Sequence, residues 1–219
     1  MKQIGIHSYR VMSVVCLALV LSGCISVSSS PTPRFYMLQA VHENPASKKI
    51  NIAPDVVIGV GPVKIPEYQD RPQIVTQGKE KTLKFAQFDR WGESLDLGMA
   101  RLVGENLAVI LPEAKFTLYP WNSSIPVKYQ VVVEIVQLDS ELDKDLFLAA
   151  QWLIIDAQNA KTMIIKRSEF RQPIIPQDYS GLAKTLSMAC ASLSSEIADA
   201  LATLETHLKT KKDDPVPKE

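Results

Sequence analysis

Apolar residues recur at steps of three and four between positions 91 and 111: Trp91, Leu95, Met99, Leu102, Val103, Leu107 and Ile110. That period lays them along one face of a helix. Asp89 stands where a cap would stand, and Pro112 stops the run. The same period returns over residues 179–208, with Leu182, Leu186, Ala189, Leu193, Ile197, Ala200, Leu204 and Leu208 on one stripe. A stripe of that width suits a helix laid on a sheet.

Between and before these helices the pattern shortens to strands. Residues 34–39 read as a first, aromatic strand, and 55–66 as a buried Val/Ile strand in which Pro62 predicts an edge or a bulge. Residues 72–77 and 81–88 read as a hairpin across Gly78, and 115–120 as a short strand. Residues 128–140 alternate, with Val131, Val133 and Ile135 on one face; 146–156 and 162–170 follow across charged or polar turns, which predicts an antiparallel meander. Strands, helix, strands, helix give an α/β fold: a mixed, mostly antiparallel sheet with two long helices packed on it.

The N-terminus follows a different logic. Lys2 and Arg10 precede an apolar run over 11–21, the layout of a secretory leader and too short for a bilayer span of about 20 residues. Leu21-Ser22-Gly23-Cys24 resembles the bacterial lipobox. That resemblance implies a diacylglyceryl group on the Cys24 thiol, cleavage before Cys24, and an N-acyl group on the new amine. Ile25 and Ser26 follow, without the aspartate that retains many lipoproteins in the inner membrane. The implied address is the outer membrane, lipid-anchored on its periplasmic side. The expected organisation is a signal peptide over 1–23, a flexible Ser/Pro-rich tether over 24–33, one domain over 34–208 and a disordered charged tail over 209–219.

Composition narrows the chemistry. The chain has 24 Lys+Arg against 24 Asp+Glu, and Lys2 and Arg10 leave with the leader. No basic surplus points to nucleic acid. Of three cysteines, Cys16 lies in the leader and Cys24 takes lipid, so Cys190 has no partner for an internal disulfide. It is expected to be a buried, inert thiol. His42 and His207 lie beside no nucleophile or metal-binding pattern, and no phosphate loop is present. The acids of 141–145 lack the spacing of a calcium loop and read as a solvated turn. The "DRWGE" of 89–93 reads as a helix cap beside a half-buried Trp rather than a carboxylate pair for sugar hydrolysis. No catalytic residues, metal site or cofactor are expected beyond the lipid on Cys24.

One segment stands out. Ile65-Pro66-Glu67-Tyr68-Gln69-Asp70-Arg71-Pro72 is stiffened by two prolines and carries an aromatic and both charges. Either Tyr68 packs on the domain's own edge while Asp70 and Arg71 pair locally, or Ile65, Pro66, Glu67, Tyr68, Asp70 and Arg71 form a partner contact. Tyr and Arg are frequent interface anchors.

The lipobox, "FYML" (35–38), "VGPVKIPEYQDRPQIV" (60–75), "RWGE" (90–93) and "AAQWLIID" (149–156) together resemble the ABC-type transport auxiliary lipoprotein family over about residues 24–205. The resemblance implies a non-enzymatic component of envelope lipid transport that works with an ABC transporter and docks a mammalian-cell-entry (MCE) domain partner at the membrane. It leaves self-association open. A domain that itself carries lipid is the alternative, and a periplasmic lipid hydrolase a weaker one, because nucleophile activation usually borrows a histidine.

Overall fold

The computed structural model describes residues 31–40 and 49–213. The expected signal peptide, the lipobox Leu21-Ser22-Gly23-Cys24, most of the tether, His42 and residues 214–219 lie outside the described residues. The described residues from Pro33 onward form one compact unit.

The strands are β1 (Arg34–Tyr36), β2 (Val57–Lys64), β3 (Gln73–Gln77), β4 (Leu83–Trp91), β5 (Lys115–Leu118), β6 (Tyr129–Ser140), β7 (Asp145–Asp156) and β8 (Lys161–Pro173). The helices are α1 (Leu95–Ile110) and α2 (Tyr179–Asp213). The fold is α/β with mixed pairing, as its hydrophobic pattern predicts. It contains two sheets rather than one: β1-β4-β3, and β5-β2-β6-β7-β8. The β3–β4 hairpin takes β1 as its third, parallel strand and does not join the meander. In the larger sheet β2 pairs in parallel with both β5 and β6, while β6–β7 and β7–β8 are long antiparallel ladders.

Pro62 sits at a register break between Val60 and Val63, in an internal strand. It is therefore a bulge and not an edge, since a proline cannot complete a ladder on both sides.

Both helices cover one face of the five-stranded sheet. Tyr129, Val131, Val133, Ile135, Trp152 and Ile154 point from it into a core shared with Leu102, Leu107, Leu186, Leu193 and Ile197. Trp152 is fully buried, and its indole N–H donates to Ser168 Oγ at 2.9 Å. That hydroxyl donates to Glu196 of α2. Tyr129 Oη and Lys128 Nζ both donate to Glu205. These bonds fasten α2 across the meander and satisfy polar atoms that burial would otherwise penalise.

Helix α1 begins four residues later than its apolar period suggests. Trp91 belongs to β4, and Ser94 takes the cap position, its carbonyl accepting from Gly98 N at 2.9 Å. Asp89 is no cap: it is buried within β4. At the other end α2 continues past Leu208 to Asp213, into the segment expected as tail. Leu208 is already 39% exposed there, so the helix outruns its buried stripe. Lys209, Lys211 and Lys212, good helix formers, carry it further.

Candidate functional site

The described chain enters the domain through a strap, residues 34–40. Asp89 holds its start: Arg34 Nε and Nη2 reach the two carboxylate oxygens at 2.8 and 3.0 Å, and Tyr36 Oη donates at 2.8 Å. The hydrogen bond and charge of Asp89 push the Arg34 pKa up. Burial, then the same carboxylate, push the Tyr36 phenol up. Further along, Tyr36 O accepts from Gly92 N at 2.7 Å, Leu38 O from Arg101 at 2.9 Å, and Gln39 N donates to Ser187 Oγ at 3.2 Å. Glu93 in turn pairs with Arg101. The two acids flanking Trp91 are thus each committed to an arginine. The strap is thereby fixed to β4, α1 and α2 at once.

The 65–72 segment closes a gap in the sheet. β6 has β2 as neighbour only as far as Glu134. Beyond it, the backbone of Leu138 turns to side chains. Leu138 N donates to Tyr68 Oη at 3.2 Å, and Leu138 O accepts from Tyr68 Oη at 3.3 Å and from Gln69 Nε2 at 2.9 Å. Buried peptide groups need such partners. Tyr68 is half-buried, and desolvation raises its pKa. Ile65 packs against the core, Pro66 is half-buried, and Glu67, Asp70 and Arg71 are exposed. Arg71 does not pair with Asp70; its guanidinium lies 4.5 Å over the Phe85 ring. The sequence could not show this, because the partners are distant in the chain.

Among the described residues no helix covers the opposite face of the five-stranded sheet. Register places Val132, Leu153 and Ile165 in one row, with Ile165 61% exposed. Beside this row the β5–β6 loop folds Trp121 down onto Gly59, where a Cβ would lie 2.7 Å from the indole. Tyr119 meets Trp121 edge to face at 5.7 Å. Below Trp121 opens a cleft of about 550 Å³ lined by Ile125, Val127, Gln130, Ile155 and Thr162. Trp121 falls between the two strands that the sequence predicts over 115–120 and 128–140. The available signal was Gly59 inside a Val-rich strand, a usual mark of close approach.

Cys190 is completely buried, and burial pushes its thiol up to about 12. In the folded protein it should resist iodoacetamide at pH 8 and react only after unfolding. Burial of the neutral thiol stabilises the fold below the ordinary thiol pKa of 9.0 and loses that contribution as pH climbs from there towards 12. Alkylation of the native protein at the rate of a free thiol would contradict this. Two of the three acids of 141–145 take side-chain partners, Glu141 with Lys144 and Asp145 with Arg171. Among the described residues no group of three or more His, Cys, Asp or Glu side chains could hold a metal ion. None of the described helices is long and apolar enough to cross a membrane.

A family model described as ABC-type transport auxiliary lipoprotein component matches residues 36–198. No curated protein matches the chain by sequence. Among solved structures it is similar to an uncharacterized protein at 18% identity, with a TM-score of 0.63 over 78% of this chain and 99% of that one. It is also similar to a protein from Xanthomonas campestris at 9% identity, with a TM-score of 0.62 over 81% of this chain and 99% of that one. At such identities the likeness concerns the fold.

Proposed function

Because the chain belongs to the ABC-type transport auxiliary lipoprotein family, we propose that it serves an ABC transport system as a non-enzymatic, lipid-anchored docking module. In this reading Cys24 carries diacylglyceryl and N-acyl chains and holds the domain on the periplasmic side of the outer membrane. The domain receives an MCE-domain partner there, as part of a system that moves lipid between the two membranes.

The family match over 36–198 carries the reading. The bare sheet face supports it. A row of Val132, Leu153 and Ile165 beside the Trp121 cleft offers an apolar centre, and Glu134, Gln151 and Arg167 form the next row as a polar rim. That is the anatomy of a partner surface. The 65–71 segment enters in a narrower role than its sequence suggests. Tyr68 and Gln69 serve the fold, which leaves Glu67 and Asp70 as proposed contacts at its border.

Ile165→Glu tests the docking face. The side chain is already 61% exposed, so stability should move by no more than about 0.5 kcal/mol. Co-purification with an MCE-domain partner protein should fall about tenfold, the equivalent of roughly 1.4 kcal/mol. Full retention of binding would remove this face from the reading. Lipid that co-purifies stoichiometrically with the isolated protein, measured by mass spectrometry, would favour a lipid carrier over a dock.

A further inference from the structure

We infer that the outer face of the three-stranded sheet rests on the phospholipid surface to which the chain is tethered. The inference rests on the lipid-anchor reading of Cys24 and concerns what the domain itself presents to the bilayer.

Register defines the face. Phe35 of β1 pairs with Arg90 of β4, which pairs with Gln73 of β3. Phe85 pairs with Val75, and Leu83 with Gln77. Residues paired across strands share a face. With the bulge in β4 between Phe85 and Arg90, this face carries Phe35, Arg90, Phe85 and Leu83 around a buried Val75, opposite to Arg34, Tyr36 and Asp89. Phe35 is 64% exposed, Phe85 49% and Leu83 40%. Two aromatic rings and a leucine on three short strands are an uncommon solvent face, because half-covered sheets normally alternate apolar-in with polar-out.

The charges on this face are unmatched. Arg90 has no hydrogen-bond or ion-pair partner among the described residues, and its Nε is buried with none. Arg71 lies over Phe85 with no carboxylate partner among the described residues. By contrast Arg34, on the other face of the same strand pair, is held by two bonds to Asp89. A half-buried guanidinium left unpaired beside exposed rings fits an anionic phosphate with apolar chains behind it. Arginine binds phosphate oxygens in pairs, and amphipathic surfaces seat their apolar side just below the headgroups.

Position selects the bilayer as occupant. The face begins one residue after Arg34, and Arg34 follows Cys24 by ten residues. Ten residues reach at most about 36 Å. A lipid on Cys24 would keep this patch near the membrane at high effective concentration, so that weak contacts become populated. The Trp121 cleft lies at the other end of the fold. At the patch end lie the β3–β4 hairpin, which is one side of the patch itself, and the start of the strap.

The acylated full chain, reconstituted in vesicles of phosphatidylethanolamine and phosphatidylglycerol, tests the inference. An environment-sensitive fluorophore is placed at Gln73→Cys, or at Ser123→Cys on the far loop as a control. Cys190 is buried and Cys24 is blocked by lipid, so labelling is specific. Doxyl-labelled lipids with shallow quenchers should quench the label at 73 about twofold more than that at 123. Phe35→Ser combined with Arg90→Gln should abolish that excess while the protein still floats with the vesicles. A protein that floats with no quenching at 73 overturns the patch and leaves the anchor standing. A blue-shifted but unquenched label marks a protein surface, a second copy or a partner, seated on the face and also overturns it. A chain that does not float overturns the anchor reading and this inference with it.

Discussion

Gly181→Ala should cost at least about 3 kcal/mol, a shift in melting temperature of roughly 6–12 °C for a chain of this size. Gly181 lies in the first turn of α2. A Cβ there would sit 1.8 Å from Pro176 O and 2.8 Å from Pro176 C and N. These are backbone atoms and cannot swing aside as a side-chain tip can. The turn that brings them close is itself bonded: Asp178 N donates to Pro176 O at 2.8 Å, and Gly181 N donates to Asp178 Oδ1 at 2.9 Å. Relieving the clash would break that cap and displace Leu182, Ala183 and Leu186 in the core. It would also shift Ser187, which holds the strap at Gln39. Gly104→Ala is the internal control. Its Cβ would meet only the Leu118 Cδ2 at 3.1 Å, the end of an exposed side chain. Alanine also gains up to about 1 kcal/mol over glycine inside a helix. Urea unfolding should therefore show a large loss at 181 and none, or a gain, at 104. Equal effects at both sites would refute the tight-turn argument.

What the sequence disclosed was whatever has a local period. The α1 stripe, the alternation Val131-Val133-Ile135, the meander and the hairpin across Gly78 all follow from residues that neighbour one another in the chain. Contacts between distant residues were hidden. Asp89 stands before an apolar helical period and so looks like a cap, but Arg34 and Tyr36, 55 and 53 residues away, claim its carboxylate and hold it in a strand. The same contacts recruit the three-residue β1 and create a second sheet. The sequence leaves Tyr68 open between the domain's own edge and a partner because its acceptor, the Leu138 carbonyl, is 70 residues distant. Trp121 has no periodic neighbour to mark it, because the glycine that receives it lies on another strand. The candidate docking face was half legible: alternation marks which side chains leave the core, but only the register aligns Val132, Leu153 and Ile165 in one row.

Cys24→Ala should abolish lipid anchoring outright while leaving the domain's melting temperature unchanged. The magnitudes decide this. Acyl chains contribute about 0.8 kcal/mol per buried methylene, so two long chains exceed roughly 20 kcal/mol, which amounts to permanent anchoring. A phenylalanine fully buried in an apolar phase adds at most about 3 kcal/mol, and Phe35 and Phe85 would only dip into the interface. The patch can orient a tethered domain but cannot hold a free one. The fold, for its part, does not depend on the lipid. The strap is secured downstream of Cys24 by Asp89, Gly92, Arg101 and Ser187, all within the compact unit. In cells, palmitate incorporation should vanish, the protein should accumulate unprocessed or in the soluble fraction, and transport-dependent phenotypes should match those of a deletion. Palmitate labelling that persists in Cys24→Ala would end the lipobox reading. Loss of the folded domain would instead mean that the first 33 residues hold the structure together, contrary to the bonds that secure the strap.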